Sequence, residues 1–235
     1  MNTIRIEKYL SDTGIASRRE SKRIIEQGLV QINGITTIVG QRVTIPIDTV
    51  TVNTTDAHQA FERTTVAVYK PRGVLSSHDH GAGKNIFNIF PEYKDLHTVG
   101  RLDKDSEGLI LLSNDGLITK AITGSDHLIE KEYLVTTRET ILPWMMQKMS
   151  KGMELEDGWT LPSVAKKVTS NKFSIILKEG RKHQIRRMAN ACRLTIESLK
   201  RVRIHTIQST GMLPGNVRKV GEATILDLRS FAKKK

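Results

Sequence analysis

The chain has 235 residues, 38% of them hydrophobic, and its 37 Lys+Arg against 25 Asp+Glu give a formal charge of +12. Domains hold roughly 100–200 residues, so the length allows one large domain or a large one with a small one. The charge points to nucleic acid, while the lack of an apolar run of about 18 residues and of a long basic amphipathic helix argues against a membrane partner.

The N-terminal residues carry Arg5, Glu7 and Lys8 and no apolar run of the secretory kind, so they do not read as an export signal. Cys192 is the only cysteine. It can form no intramolecular disulfide and no cysteine metal cluster, which fits a cytoplasmic protein.

Residues 1–56 read as a small module. Ile6, Tyr9 and Leu10 are at helical spacing, and Ser17-Arg18-Arg19-Glu20 carries the S-x-x-E capping-box pattern of a second helix. Ile24 and Ile25 give that helix its apolar face, and Gly28 stops it. A strand over 29–32 follows, then Asn33-Gly34, a strong hairpin signal. Residues 43–52 alternate β-branched side chains and read as the closing strand. Arg18/Lys22 and Arg19/Arg23 are like-charge pairs at i,i+4, each costing a helix about 0.2–0.5 kcal/mol. A solvated face would mix signs, so Arg18, Arg19, Lys22 and Arg23, with Arg5, read as a phosphate-binding face.

Residues 57–64 are polar and aperiodic and read as a linker. The main domain, 65–232, predicts strands at 66–70, 108–112, 132–136, 173–177, 199–207 and 223–228, and helices at 117–122, 143–153 and 182–192. The absence of a regular βαβ rhythm predicts an α+β fold with a mostly antiparallel mixed sheet flanked by helices. Residues 233–235 form a short basic tail.

No G-x-G-x-x-G follows a strand and no G-x-x-x-x-G-K-[ST] occurs, so nucleotide-cofactor loops are absent. His78-Asp79-His80 lacks further ligands at useful spacing and reads as a polar loop without metal. Cys192 lies at i+7 from Ile185, with Met188 and Ala189 between, and reads as core. Arg186 lies on another face with Lys182 and Asn190, where it can present a guanidinium at a pocket edge. Asp103 sits in a charged turn before the strand at 108–112. Tyr133 reads by default as a packed strand residue.

Taken together, Lys70-Pro71-Arg72-Gly73, Gly100-Arg101-Leu102-Asp103 through Gly116, Lys131-Glu132-Tyr133, Gly180 through Met188 and Leu199-Lys200-Arg201-Val202-Arg203-Ile204 resemble the pseudouridine synthases. The resemblance is to the small-subunit-type ribosomal RNA branch, and within it most to the subgroup that modifies large-subunit ribosomal RNA. Residues 5–10, 16–20 and 28–34 resemble the S4 domain, the RNA-binding module at the N-terminus of that branch. Where the family often carries His-Pro before its tyrosine strand, this chain reads Gly124-Ser125-Asp126-His127.

The resemblance implies isomerisation of uridine to pseudouridine in ribosomal RNA, large-subunit RNA or an assembly intermediate, by a monomeric bacterial enzyme without cofactor. Asp103 would be the essential carboxylate, acting on the sugar as nucleophile or as base. Arg186 would pair with it, and Tyr133 would stack on uracil above Leu199. Arg101 would fill the space left by the flipped base. Arg181, Lys182 and Arg187 suit phosphates, as does Lys70 in the first motif, although a structural role fits Lys70 better. The competing expectations are a non-catalytic RNA-binding assembly factor and an S4-bearing methyltransferase, the latter lacking its glycine-rich cofactor loop.

Overall fold

The computed structural model describes residues 2–13, 15–53, 63–77, 83–124 and 128–233. His78-Asp79-His80, Ser125 to His127 and most of the expected linker lie outside the described residues, as does the side chain of Arg19.

The N-terminal module packs helices α1 (Ile6–Asp12) and α2 (Arg18–Glu26) over short strands. The capping box forms as the sequence predicts: Glu20 N donates to Ser17 Oγ and Ser17 N donates to the Glu20 carboxylate. Each bond satisfies a backbone donor that the helix start leaves open. β2 (Val30–Ile32) and β3 (Ile35–Thr36) flank the Asn33-Gly34 turn, both of whose residues have positive φ, as a two-residue hairpin turn requires.

The single strand expected over 43–52 is two strands in two sheets. β4 (Arg42–Ile45) pairs with β1 (Asn2–Arg5), and β5 (Val50–Val52) pairs with β2. Asp48 makes the break. Its carboxylate accepts from Thr44 N at 2.7 Å and from Asn33 Nδ2 at 2.9 Å, folding the chain back between the two strands. Ile6, Leu10, Ile24, Ile25, Val30 and Val43 form the module's core.

The main sheet runs β12 (Val164–Thr169), β13 (Lys172–Leu177), β9 (Lys131–Thr137), β14 (Ile196–Ile204), β8 (Glu107–Ser113), β6 (Thr65–Lys70), β16 (Val217–Lys219). β15 (Ile207–Gln208) adds to β14 and β7 (His97–Val99) to β8. Among the described residues only β14 and β8 run parallel, in register at Lys200↔Glu107 and Arg201↔Gly108.

That short parallel pair joins two halves. On one side of it, α5 (Pro143–Lys151) and α6 (Gln184–Asn190) pack with β9, β13 and β14 around Val135, Phe173, Ile175, Met149 and Met188. On the other, β6 and β8 are covered on both faces. The helix α3 (Ile86–Ile89) packs on Val66, Val68, Ile110 and Leu112, while α4 (Gly116–Thr123) and α7 (Glu222–Lys233) pack on Ala67, Leu109 and Leu111. Burial on both faces explains the unbroken apolar run of β8.

The strand expected at 223–228 is therefore wrong: the segment is α7. Ile225, Leu228 and Ala232 recur at i, i+3 and i+7, a helical stripe turned toward α4, and Arg229 Nε donates to the buried Asp115 carboxylate at 2.6 Å. Asp115 also caps α4 through Leu117 N.

The module sits against the large domain. Arg63 Nε lies 2.9 Å from the Glu20 carboxylate, with both side chains largely buried, and Lys120 Nζ donates to Ser11 O at 2.9 Å. A Cβ at Gly116 would lie 2.0 Å from Ser17 Cβ, so α4 approaches α2 at a distance only glycine permits.

Candidate active site

The turn carrying Asp103 is fixed from both sides. Ser76 Oγ donates to Leu102 O at 2.8 Å and accepts from Leu102 N at 3.2 Å. Gly73 N donates to Lys104 O at 2.8 Å, and Ser106 N to Asp103 O at 3.0 Å. Beneath the turn, the ammonium of Lys70 donates to Val74 O, Pro71 O and Lys104 O at 2.7, 3.0 and 3.4 Å. Burial pushes the Lys70 pKa down to about 8, against the pull of Asp103, Asp105 and Glu107. Lys70 has no exposed surface, so it cannot serve as the RNA contact the sequence allowed; its role is to hold the first motif and the Asp103 turn together.

α6 faces this turn across the cleft. It begins at Gln184, later than the expected Lys182, because His183 takes a left-handed φ of 52° and cannot continue a helix backwards. Gln184 is buried and braces the approach: its Oε1 accepts from Arg181 N at 3.1 Å and its Nε2 donates to Glu179 at 2.7 Å. Arg186 then reaches Asp103, Nε to Oδ2 at 3.6 Å, and donates to Ser106 Oγ at 3.3 Å. The expected Asp103–Arg186 pair is thus assembled.

Asp103 has a second partner with no counterpart among the sequence expectations. His183 Nδ1 lies 3.1 Å from the same Asp103 oxygen. The histidine stands in the motif Gly180 to Met188, but its aim depends on a left-handed backbone that no spacing rule signals. The Asp103 side chain is 34% exposed, so it is held in place yet open to the cleft.

The cleft has a volume of about 890 Å³ and is lined by Asp103, Arg101, Tyr133, Lys131 and Arg201, with Arg181 to His183 on the facing side. Tyr133 of β9 is in register with Arg201 of β14. Leu199, two residues before Arg201, is buried in the core cluster against which Tyr133 packs. Arg201 is buried and donates from Nε to Leu109 O at 2.7 Å. Burial also lowers the pKa of Lys131 to about 8, with Arg201 adding to the effect. Arg101, Lys104, Lys178 and Lys182 form an exposed basic rim.

Arg181 and Arg187 are committed elsewhere. Arg187 makes a two-pronged pair with Asp157, at 2.7 and 2.9 Å, and that hydrogen bonding holds the Asp157 carboxyl down to about 2. Arg181 pairs with Glu179 and donates to the carbonyls of Asp157, Gly158 and Trp159. Both therefore clamp the hairpin of β10 (Glu154–Leu155) and β11 (Gly158–Trp159) instead of standing free for phosphates. Cys192 is buried in the core, as expected, with its thiol pKa pushed up by burial. In the N-terminal module Arg5, Arg18, Lys22 and Arg23 are exposed, Lys22 lying 3.8 Å from Glu26.

Comparison with known proteins supplies the context of this site. Residues 64–191 match the family profile described as RNA pseudouridylate synthase, and residues 4–55 match the S4 domain. The dual-specificity RNA pseudouridine synthase RluF of Escherichia coli K12 is 37% identical over 231 residues, covering 97% of this chain and 79% of that protein. The ribosomal large subunit pseudouridine synthase B of Bacillus subtilis is 30% identical over 239 residues, covering 97% and 96%. A crystal structure of a pseudouridylate synthase superposes with a TM-score of 0.71 at 26% identity, covering 96% of this chain and 99% of that one.

Proposed function

The chain belongs to the RNA pseudouridylate synthase family, which turns uridine in RNA into pseudouridine, and from that premise we propose that Asp103 performs the isomerisation in this cleft. The observation that carries the assignment is the meeting of Asp103 with Arg186 and His183 in the cleft that Tyr133 lines. The reaction breaks N1–C1′, turns the uracil, and joins C5 to C1′; C5 loses its proton and N1 gains one. Nothing is oxidised and no water enters, so one carboxylate suffices where hydrolytic glycosidases need two.

The target uridine must leave its stack to reach the cleft, at a cost of a few kcal/mol. Arg101, exposed at the cleft rim, would fill the gap left behind. Tyr133 gives the uracil a ring to stack on, and its hydroxyl can accept the C5 proton. Arg186 holds the carboxylate toward the sugar by charge, and His183 fixes its orientation. The exposed arginines and lysine of the S4 module, with Lys182 and the rest of the cleft rim, bind the RNA backbone.

Large-subunit ribosomal RNA, free or in an assembly intermediate, is the substrate this reading favours, because a relative covering nearly the whole chain is named for that subunit. We take the enzyme to work as a monomer, because Asp103, His183, Arg186 and Tyr133 meet without a residue from a second copy, and in the bacterial cytoplasm, because the relatives named for RNA modification are bacterial. No helix among the described residues is long and apolar enough to cross a membrane. The test is tritium release from ribosomal RNA carrying 5-tritiated uridine. The unaltered protein should release tritium and Asp103→Asn should not, while still binding RNA. Substantial release by the mutant would remove Asp103 from its role, and none by the unaltered protein would favour a non-catalytic binder. Mapping pseudouridine with and without the protein then identifies the position.

A further inference from the structure

The β10–β11 hairpin is held far more firmly than a surface turn needs. Arg181 and Arg187 fasten its tip through Asp157 and three successive carbonyls. At its base Thr160 N donates to Met153 O at 3.0 Å and Met153 N to Thr160 Oγ1 at 3.0 Å. Leu161 N donates to Glu179 at 2.8 Å, tying the outgoing strand to the segment that leads into α6. Two arginines on or just before the helix bearing Arg186 thus fix this hairpin relative to the reacting groups.

What the hairpin presents is Trp159. It is 65% exposed, whereas Thr160 beside it is 5% exposed and Leu161 beyond it is 40% exposed and lines the Asp103 cleft. Trp159 and Leu161 therefore alternate with the buried Thr160 and share the outward side of the chain. An indole buries 150–250 Å² when a fold uses it for packing; here the fold leaves it in water while immobilising its backbone. The apolar surface adjoins a cleft whose rim carries Lys178 and Lys182. Aromatic rings beside cationic grooves are the means by which single-stranded nucleic acid is held, because every base has a face to stack.

We propose that Trp159 is a stacking platform for an unpaired nucleobase of the RNA that neighbours the target uridine. The occupant is RNA because Leu161, two residues on, and Arg181, which donates to Trp159 O, both line the uridine site, whose rim carries Lys178 and Lys182; the inference rests on that assignment. The clamp by Arg181 and Arg187 is what makes the platform effective, since a ring held in advance loses little freedom when a base lands on it. Two arginines that look like phosphate contacts in the sequence thereby serve RNA binding at one remove.

The test uses the full chain and unmodified large-subunit ribosomal RNA transcribed with 5-tritiated uridine. Removing one stacking partner weakens binding by about 5- to 150-fold, so Trp159→Ala should raise KM by that factor and leave kcat within about twofold. Trp159→Phe, which keeps a ring, should recover most of the loss. The chain has two tryptophans, so Trp144→Phe leaves Trp159 as the sole indole, and saturating RNA should quench its fluorescence. This arm reads RNA contact whether or not the protein isomerises the transcript. A KM for Trp159→Ala equal to that of the unaltered protein, or an unquenched Trp159, overturns the proposal. So does a defect seen only on ribosomal particles and not on naked RNA, which would assign the surface to a ribosomal protein. Absent tritium release by the unaltered protein, alongside quenching, would count against the isomerase assignment and not against the platform.

Discussion

Gly108 is the position where a single methyl group tests the architecture most directly. It stands in β8 at φ +106°, in register with Arg201 of β14, and a Cβ there would lie 2.3 Å from Arg201 O and 2.9 Å from Arg201 N. Both obstacles are backbone and cannot rotate away. Overpacking of this kind costs about 1–3 kcal/mol, and a non-glycine residue at such a φ adds about 1–3 kcal/mol. Gly108→Ala should therefore destabilise the large domain by about 2–6 kcal/mol, a drop in Tm of roughly 4–24 °C for a chain of this size. The lesion falls on the parallel junction that joins the half bearing Asp103 to the half bearing His183, Arg186 and Tyr133, so kcat should fall even below the melting range. Differential scanning calorimetry measures the first effect and tritium release at about 20 °C the second. Gly180→Ala, at an exposed position where a Cβ meets nothing within 4 Å and the backbone is not left-handed, is the control for Tm and should move it by no more than about 2 °C. A Gly108→Ala protein with Tm within about 2 °C of the unaltered chain would refute the steric reasoning.

The other expectations follow from individual side chains. His183→Ala should lower kcat by up to about 10²-fold, the scale of a small misplacement of a reacting group, with KM little changed; unaltered single-turnover rates would dismiss its orienting role. Arg186→Lys keeps a charge but loses the flat donor fork that reaches both Asp103 and Ser106, so it should recover only part of the activity lost in Arg186→Ala. Neutralising Arg18, Lys22 and Arg23 should flatten the salt dependence of RNA affinity by about 0.7 for each single-strand phosphate the module no longer neutralises, read from binding at several ionic strengths. The depressed pKa of Lys70, about 8, means the unfolded chain binds more protons than the folded one between that value and the ordinary lysine value. The burial cost is complete below pH 8 and disappears as pH rises toward 10.5, so stability relative to Lys70→Met should climb by up to roughly 3 kcal/mol over that interval. Urea melts of both proteins at about pH 7.5 and about pH 10 check the sign.

Local chemistry was the legible part of the chain. Ser17 and Glu20 form their capping box and Asn33-Gly34 turns its hairpin because both motifs act over three or four residues. The sequence resemblance brought Asp103, Arg186, Tyr133 and Leu199 to one region. Partnerships over long separations were not legible. Charge alone could not reveal that Arg181 and Arg187 spend their donors on a hairpin some 24 to 30 residues earlier, nor that Lys70 lies under a turn 34 residues away. The strand expected at 223–228 failed because six residues sampled less than two turns of an amphipathic helix, whose stripe completes only at Ala232. The aim of His183 depends on one left-handed residue, which ordinary helix signals do not encode.

The approach of Gly116 to Ser17 gives the S4 module a fixed bearing. α4 starts shortly beyond β8, the strand that the Asp103 turn feeds, and α2, with its exposed arginines, rests on that helix start at a glycine-only distance. With Arg63 and Lys120 bonded across the same seam, the span from the basic helix proposed to grip RNA to the proposed catalytic carboxylate would act as a ruler. On that proposal the uridine selected would be the one lying that far along the folded RNA from the place the module grasps. A side chain at Gly116 would lengthen the ruler without touching the chemistry, and its signature would be a shifted or blurred modification position, not a slower bond rearrangement.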